Sequence, residues 1–349
     1  MLRVSRRALA SFCVCVAAFA FGPGAGAKAQ TAEEFYKGKT VTIIAGFGPG
    51  GGYDLYARVL ARYIGNYIPG KPNVLVQNME GAGSVRAANY VYVTAAKDGT
   101  TIAAVNQNMP MYQLLGGKAA QFDAGKLAWI GSMGGSNGLL YTWHTSKTKT
   151  IDDAKRNVVM LGGTGTNSDS HIFPTLINNL LGTKFKVING YSGGSKEVHL
   201  ALERGEVEGR GGNAWASLKS SNKEWLDQKK LNFIVQIGLE REPELPDVPL
   251  LLDLVKSDTD KQIVTLVSLP TFLGYAHWVS PEVPADRLAA LRAAYSKTMQ
   301  DPAFLAETRK LDMMLRPQSG EQLTALVQRV ANTPKDIINR AAKALEWTE

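Results

Sequence analysis

The chain has 349 residues, and 39 lysines and arginines against 31 aspartates and glutamates give it a formal charge of +8. No Lys/Arg cluster accompanies that excess, which argues against a nucleic-acid-binding surface. Both cysteines, Cys13 and Cys15, fall in a segment expected to be removed, which leaves the mature chain without disulfides, thiolate zinc sites or cysteine catalysis.

That segment is the N-terminus. Arg3, Arg6 and Arg7 come without an acid, Ala8 to Phe21 is apolar, and Ala27-Lys28-Ala29 offers a small-x-small cleavage site before Gln30. Residues 1–29 therefore read as a secretory signal peptide, with the periplasm as the destination. The apolar run is too short for a stable bilayer span, and no later run of roughly 18 apolar residues exists. Ser5-Arg6-Arg7 hints at twin-arginine export, but Ala8-Leu9-Ala10 completes that pattern poorly, so general secretion is the default. No convincing lipobox precedes Cys15. Cleavage removes four bases (Arg3, Arg6, Arg7 and Lys28) and no acid, taking +8 to +4. That mild excess favours anionic ligands by long-range attraction. About 320 residues remain, too many for one hydrophobic core and suited to two lobes.

In the mature chain β-branched runs alternate with helical patterns, which predicts α/β architecture with mainly parallel sheets. Val41 to Ala45 reads as a buried first strand, followed by a glycine-rich turn and a helix over Asp54 to Ile64. Leu55, Val59, Leu60 and Ile64 share one face of that helix. A strand over Asn73 to Gln77, a helix over Ser84 to Ala95 and a strand over Thr101 to Val105 follow. The order then recurs. Asn157 to Leu161 is a strand, Gly162 to Ser168 a glycine-rich polar turn, and Asp169 to Leu181 a helix. Phe185 to Ile188 is a strand, and Ser195 to Arg204 a helix stopped by Gly205. The Pro-rich run Glu242 to Pro249 reads as a surface connection. Asp286 to Met299 and Glu321 to Leu345 read as amphipathic helices returning to the first lobe.

The turn Gly46-Phe47-Gly48-Pro49-Gly50-Gly51-Gly52-Tyr53-Asp54 joins a strand to a helix. Its five glycines allow close backbone approach to a ligand. The helix start behind it presents unpaired N–H groups and a positive dipole end, an anion site. Asp54 suits a cap for those donors. Gly162 to Ser170 offers a second helix start with hydroxyls from Thr164, Thr166, Ser168 and Ser170. In a two-lobed protein the two turns form opposing jaws.

Other motifs carry less. Gly46, Gly48 and Gly51 satisfy G-x-G-x-x-G, but Pro49 interrupts it and Gln77-Asn78 stands where the ribose-binding acid belongs. Gly38-Lys39-Thr40 precedes its strand instead of following one, which excludes a P-loop. His144, His171, His199 and His277 form no metal motif, and His199 with Glu203 reads as a surface pair. Gly134-Gly135-Ser136-Asn137-Gly138 matches the serine-nucleophile pattern, but a strand follows it, so a hairpin-like turn is the reading. No metal and no cofactor are expected.

Together these segments resemble the solute receptors of tripartite tricarboxylate transporters, the Bug/TctC-like family. The likeness runs through Tyr36-Lys37-Gly38-Lys39, Gly48 to Asp54 with Ala57-Arg58, Asn78 to Gly83, and Asp98-Gly99-Thr100. It continues through Gly165 to Ser168 with His171, Tyr191-Ser192-Gly193-Gly194, Gly205 to Glu208, and Leu245 to Pro249. The resemblance implies a hinged, two-lobe periplasmic binding protein (type II-like) with its ligand in the interlobe cleft. Expected boundaries are 30–135 plus 250–349 for lobe 1 and 136–249 for lobe 2. It also implies that backbone amides at both glycine turns hold a ligand carboxylate, partly through water. The implied first jaw is Phe47, Gly50, Gly51, Gly52, Tyr53 and Asp54. The second is Thr164, Gly165, Thr166, Asn167 and Ser168. Asn106, Gln107 and Asn108 in one lobe and Tyr191, Asn213 and Trp215 in the other complete the cleft. Tyr53 stands where Thr or Ser is common, Asn167 where Gly is usual, and Gly211 to Trp215 departs from the commoner pattern.

The expected function is thus a monomeric receptor, not an enzyme, that hands a small organic carboxylate to membrane transporter subunits. An exported NAD(P)-dependent oxidoreductase and a ligand sensor for a signalling partner are the alternatives.

Overall fold

The computed structural model describes residues 30–191 and 193–347. The expected signal peptide lies outside the described residues, as does Ser192. Four strands open the fold: β1 (Thr40–Ala45), β2 (Asn73–Asn78), β3 (Thr101–Ala104) and β4 (Ala128–Ser132). The chain then builds a second sheet from β5 (Gly138–Trp143), β6 (Val159–Gly163), β7 (Phe185–Asn189), β8 (Gly209–Ala214) and β9 (Leu231–Ile237). It returns to the first sheet with β10 (Ala276–Val279) and β11 (Gln318–Ser319).

The sheet orders are β11-β4-β10-β3-β1-β2 and β7-β6-β8-β5-β9. The fold is therefore a two-lobed α/β protein, with mixed sheets where mainly parallel ones were expected. β1 runs parallel to β2 and β3, and β6 to β7 and β8, each pair linked through a crossover segment. β5, β10 and β11 enter from the other lobe or from a helix and pair antiparallel. Periodicity registers the crossover helices but carries no record of a strand arriving from elsewhere.

Each lobe has its own core. Tyr36, Ile43, Tyr56, Leu60, Ile64, Leu291 and Phe304 are buried around the first sheet. Leu140, Leu161, Ile172, Phe173, Ile177 and Val235 fill the second. The second core also takes Leu251, Val264 and Val267 from helices Leu251–Leu254 and Asp258–Ser268, and Ile337 and Ala341 from Lys335–Ala344. These apolar faces of the C-terminal helices pack into the same cluster as the second-sheet residues.

Gly134 to Asn137 is not a hairpin turn. It carries the chain from β4 in one sheet to β5 in the other, alongside the return crossing near Gly274. Met133 N–H donates to Tyr275 O and Tyr275 N–H to Gly134 O, at 3.4 and 3.3 Å. A side chain on Gly135 would strike the Thr271 carbonyl, and one on Gly274 would strike Gly134 and Gly135, so glycine is what lets the two crossings touch.

Three other expectations change. The helix expected over Ser84–Ala95 breaks into Ala82–Ser84, Val85–Asn89 and a wide π-type turn, Tyr90–Thr94. The helix expected over Glu321–Leu345 is two, Gly320–Ala331 and Lys335–Ala344, because Pro334 starts the second. The Pro-rich run is partly internal: Glu242, Leu245 and Val248 are buried, and Arg316 reaches across to the Glu242 carboxylate at 2.7 Å. No helix among the described residues is long and apolar enough to cross a membrane.

Candidate functional site

After β1 the turn 46–51 leads into the helix Gly52–Ile64, whose N-cap position is Gly51 and carries no side-chain cap. The N–H groups of its first turn have no intrahelical partners and remain available. Asp54 was expected to cap them. It lies instead inside the helix and reaches back, accepting from Gly50 N–H, Arg58 Nε and Asn78 Nδ2, each at 2.9 Å. Asn78 Nδ2 also donates to Phe47 O at 2.8 Å, so one carboxylate and one amide pin the turn at both ends. Burial pushes the Asp54 pKa up, but the hydrogen bonds from Arg58, Gly50 and Asn78 outweigh it and hold the carboxyl below its ordinary range.

The second jaw follows β6. Thr164 Oγ1 donates to Ser168 Oγ at 2.6 Å, and Ser170 Oγ accepts from Thr164 N–H at 3.0 Å. Ser168 occupies the N-cap of helix Asp169–Leu181 without capping it, because its hydroxyl is engaged in this cluster. This second helix start is therefore also open.

Between the jaws lies a cavity of about 60 Å³, with walls from both lobes and from the crossings near Gly135 and Gly274. Of the residues expected at the site, Phe47, Gly51, Gly52, Tyr53, Asn106, Gln107, Thr164, Ser168 and Asn213 line it. The others stand off. Gly50 and Asp54 support the first turn from outside. Asn108 is buried behind Gln107, its amide donating to Asp169. Gly165 and Asn167 face the 81–84 turn of the opposite lobe, and Thr166 is exposed. Trp215 packs in the second-lobe core with its Nε1–H on Glu244 at 2.8 Å, and Tyr191 packs against that same cluster.

The lobes are closed on each other. Gly194 lies against the Phe47 ring, Ser195 beside Gly51, and the Lys196 side chain over Gly50. Ser136 Oγ accepts from Ala216 N–H at 2.9 Å beneath the cavity. Gly81, Ala82, Gly83 and Ser84 all have positive φ (131°, 46°, 57° and 81°), a run that costs free energy at Ala82 and Ser84 and sits where Gly83 meets Asn167.

Two charged residues in the cavity wall escaped the sequence reading. Asp169 is the first residue of its helix, where an acid is the ordinary complement to the dipole and signals nothing more. Here its Oδ2 accepts from Gln107 Nε2 at 2.9 Å and its Oδ1 from Asn108 Nδ2 at 2.5 Å, so it joins the lobes. Burial raises its pKa to about 6, against the lowering effect of Asn108, Gln107 and Arg210. Arg210, in β8, is 5% exposed, and its Nε and Nη1 have no hydrogen-bond partner. Its only sequence signal was the setting Gly209-Arg210-Gly211-Gly212. Side chains on Gly211 or Gly212 would strike Pro174 or the Asp169 backbone, so these glycines let β8 lie directly under the helix start.

His199, read as a surface residue, is buried and bonded to Tyr141 Oη at 3.0 Å, with Asn213 Nδ2 at 3.3 Å. Burial holds it neutral, its pKa well below the usual histidine range. Among the described residues no group of three or more His, Cys, Asp and Glu side chains could hold a metal ion.

Two α/β lobes, joined by paired crossings and closed over a polar cavity with a helix start from each, define a bilobal solute-binding protein. Residues 57–342 match the family model described as "Tripartite tricarboxylate transporter family receptor" (TctC), and the chain belongs to that family. The family consists of solute receptors, not enzymes, and its members are periplasmic binding proteins. Among solved structures the fold is similar to the periplasmic binding protein BugD, with TM-score 0.70 and 19% identity over 88% of this chain and 98% of that one. MatC from Rhodopseudomonas palustris with bound malate has TM-score 0.67 and 22% identity, covering 86% and 99%. An R. palustris protein with adipate has TM-score 0.67 and 16% identity, covering 88% and 97%. No curated protein matches the chain.

Proposed function

We propose that this protein is exported to the periplasm, binds a small organic carboxylate between its lobes and presents the closed complex to the membrane subunits of a tripartite transporter. The observation that carries the reading is the interlobe cavity, onto which the uncapped starts of Gly52–Ile64 and Asp169–Leu181 both open. Their free N–H groups and positive dipole ends suit a carboxylate oxygen, and only closure brings both to one ligand. Family membership and the malate- and adipate-bound relatives support the same class.

The residues proposed to meet the ligand are Phe47, Gly51, Gly52, Tyr53, Asn106, Gln107, Thr164, Ser168 and Asn213, with Asp54 holding the first turn from behind. The family match does not favour the oxidoreductase reading. No catalysis is proposed. The mature protein is expected to begin near Gln30 and to act as a monomer, which N-terminal sequencing and light scattering check. Calorimetry against mono-, di- and hydroxycarboxylates tests the central reading. Binding of neutral sugars or cations with no carboxylate bound would sink it.

A further inference from the structure

The charges inside the cavity say more about the ligand than the helix starts do. Arg210 stays protonated even when buried, since its intrinsic pKa lies so far above neutrality. A buried guanidinium with unmet donors costs several kcal/mol unless something pairs with it. Among the described residues nothing meets Nε or Nη1. Asp169 stands in the same wall but is not hydrogen-bonded to Arg210, its oxygens being taken by Gln107 and Asn108 from the other lobe. Each influences the other's charge, so they are near without being a closed pair.

We propose that Arg210 is the charge anchor of the ligand, taking its carboxylate. We further propose that Asp169 restricts the ligand to a monocarboxylate with a hydrogen-bond donor beside that carboxylate, a hydroxy or amino acid. This rests on the carboxylate-receptor reading and narrows it. The anchor follows from a buried cation with two unmet donors: a carboxylate both accepts those bonds and balances the charge, whereas a neutral oxygen accepts the bonds and leaves the charge uncompensated. The restriction follows from the acid. An ionised carboxylate has about four acceptor sites, and two amide donors leave room for one more donor from the ligand. A second ligand carboxylate would instead bring like charge into the buried wall. Tyr53 supports the arrangement, because its Oη already accepts from Gln107 N–H at 2.9 Å and keeps its own proton to donate.

The test is calorimetry on the mature protein with matched sets that differ only beside the carboxylate. One set is lactate, alanine, propionate and malonate; the other is mandelate, phenylglycine, phenylacetate and phenylmalonate. In the set that fits, the hydroxy or amino acid is expected to bind at least roughly tenfold tighter than both the unsubstituted acid and the dicarboxylate. The two donor-bearing members separate hydroxyl from ammonium. Arg210→Gln is expected to weaken the best ligand about 10- to 100-fold, and Arg210→Lys to recover part of it, with melting temperature as the check on folding. Tighter binding of dicarboxylates, or unsubstituted acids binding equally well, overturns the inference without any variant. Full affinity in a folded Arg210→Gln protein overturns it too. Those results leave the receptor reading standing. If no carboxylate binds and a neutral solute does, the receptor reading fails and the narrower claim falls with it.

Discussion

Gly48→Ala isolates lobe closure from folding. Gly48 is not in the left-handed region, so an alanine fits its backbone. A Cβ there would lie 2.7 Å from the Gly193 carbonyl oxygen and 2.8 Å from Gly193 Cα, both main-chain atoms of the other lobe. Carbon atoms rest at about 3.5 Å or more, so the methyl overlaps by roughly 0.7 Å, and main chain cannot rotate away as a side chain would. The lobes must separate by about that distance. The Gln107–Asp169 bond, 2.9 Å in the closed protein, would stretch to roughly 3.6 Å and cease to be a hydrogen bond. Losing a bond to a charged acceptor costs about 1.5–3 kcal/mol, which is roughly 10- to 100-fold in affinity. The core of each lobe is untouched, so the unliganded melting temperature should move by no more than about 2 °C. Calorimetry with the tightest carboxylate, paired with small-angle scattering for the ligand-induced compaction, measures both. Unchanged affinity with full compaction would show that the methyl does not hold the lobes apart, and the reasoning would be wrong.

Three further outcomes are expected. Asp54→Ala should lower stability by about 1–2 kcal/mol, since Asn78 keeps Phe47 O and the half-exposed Arg58 regains water, and should weaken binding several-fold by loosening the first turn; denaturant melts and calorimetry check it. Because the folded pKa of Asp54 is depressed, its contribution is present above the ordinary carboxylate range and lost as pH falls below it. Arg316→Ala should cost about 2–4 kcal/mol by leaving the buried Glu242 unpaired, with Glu242→Gln in the same chain restoring much of it; equal losses in both variants would refute the pairing argument. Asp169 has the opposite sign from Asp54. With a folded pKa of about 6 against an ordinary 3.8, it holds a proton that the unfolded chain has lost, so its stability falls as pH rises through that window. Arg210 and Tyr53 are the charged or titratable groups coupled to it. Asp169→Asn should therefore gain on the wild type between about pH 4 and pH 7, by up to roughly 2–3 kcal/mol, as read from paired denaturant melts. A pH-independent difference would contradict the raised pKa.

Much of the candidate cavity lining was legible because it is local. A glycine-rich turn between a strand and a helix exposes backbone donors whatever surrounds it, so Gly51, Gly52, Tyr53, Thr164 and Ser168 could be named from their place in the chain. The order of strands and helices in each lobe was legible for the same reason, since burial of one face imposes its period on the residues. The expectations of export and of a mature chain without cysteines both rest on residues 1–29, which lie outside the described residues.

What the tertiary structure decided is what depends on partners distant in sequence. Asp54 looked like a cap, and only Asn78 and Arg58 show that it clamps a turn. Trp215 and Tyr191 looked like cleft aromatics, but Trp215 is buried in a second-lobe cluster and Tyr191, partly exposed, packs against it. Leu251 to Val267 and Ile337 to Ala341 pack with the second-sheet residues because an apolar face has no address in sequence; it goes wherever an uncovered sheet face is. Asp169 and Arg210 were ordinary as letters, a first-turn acid and a base among glycines. They gain meaning because the fold sets one buried, unsatisfied base and one interlobe acid in the same cavity wall.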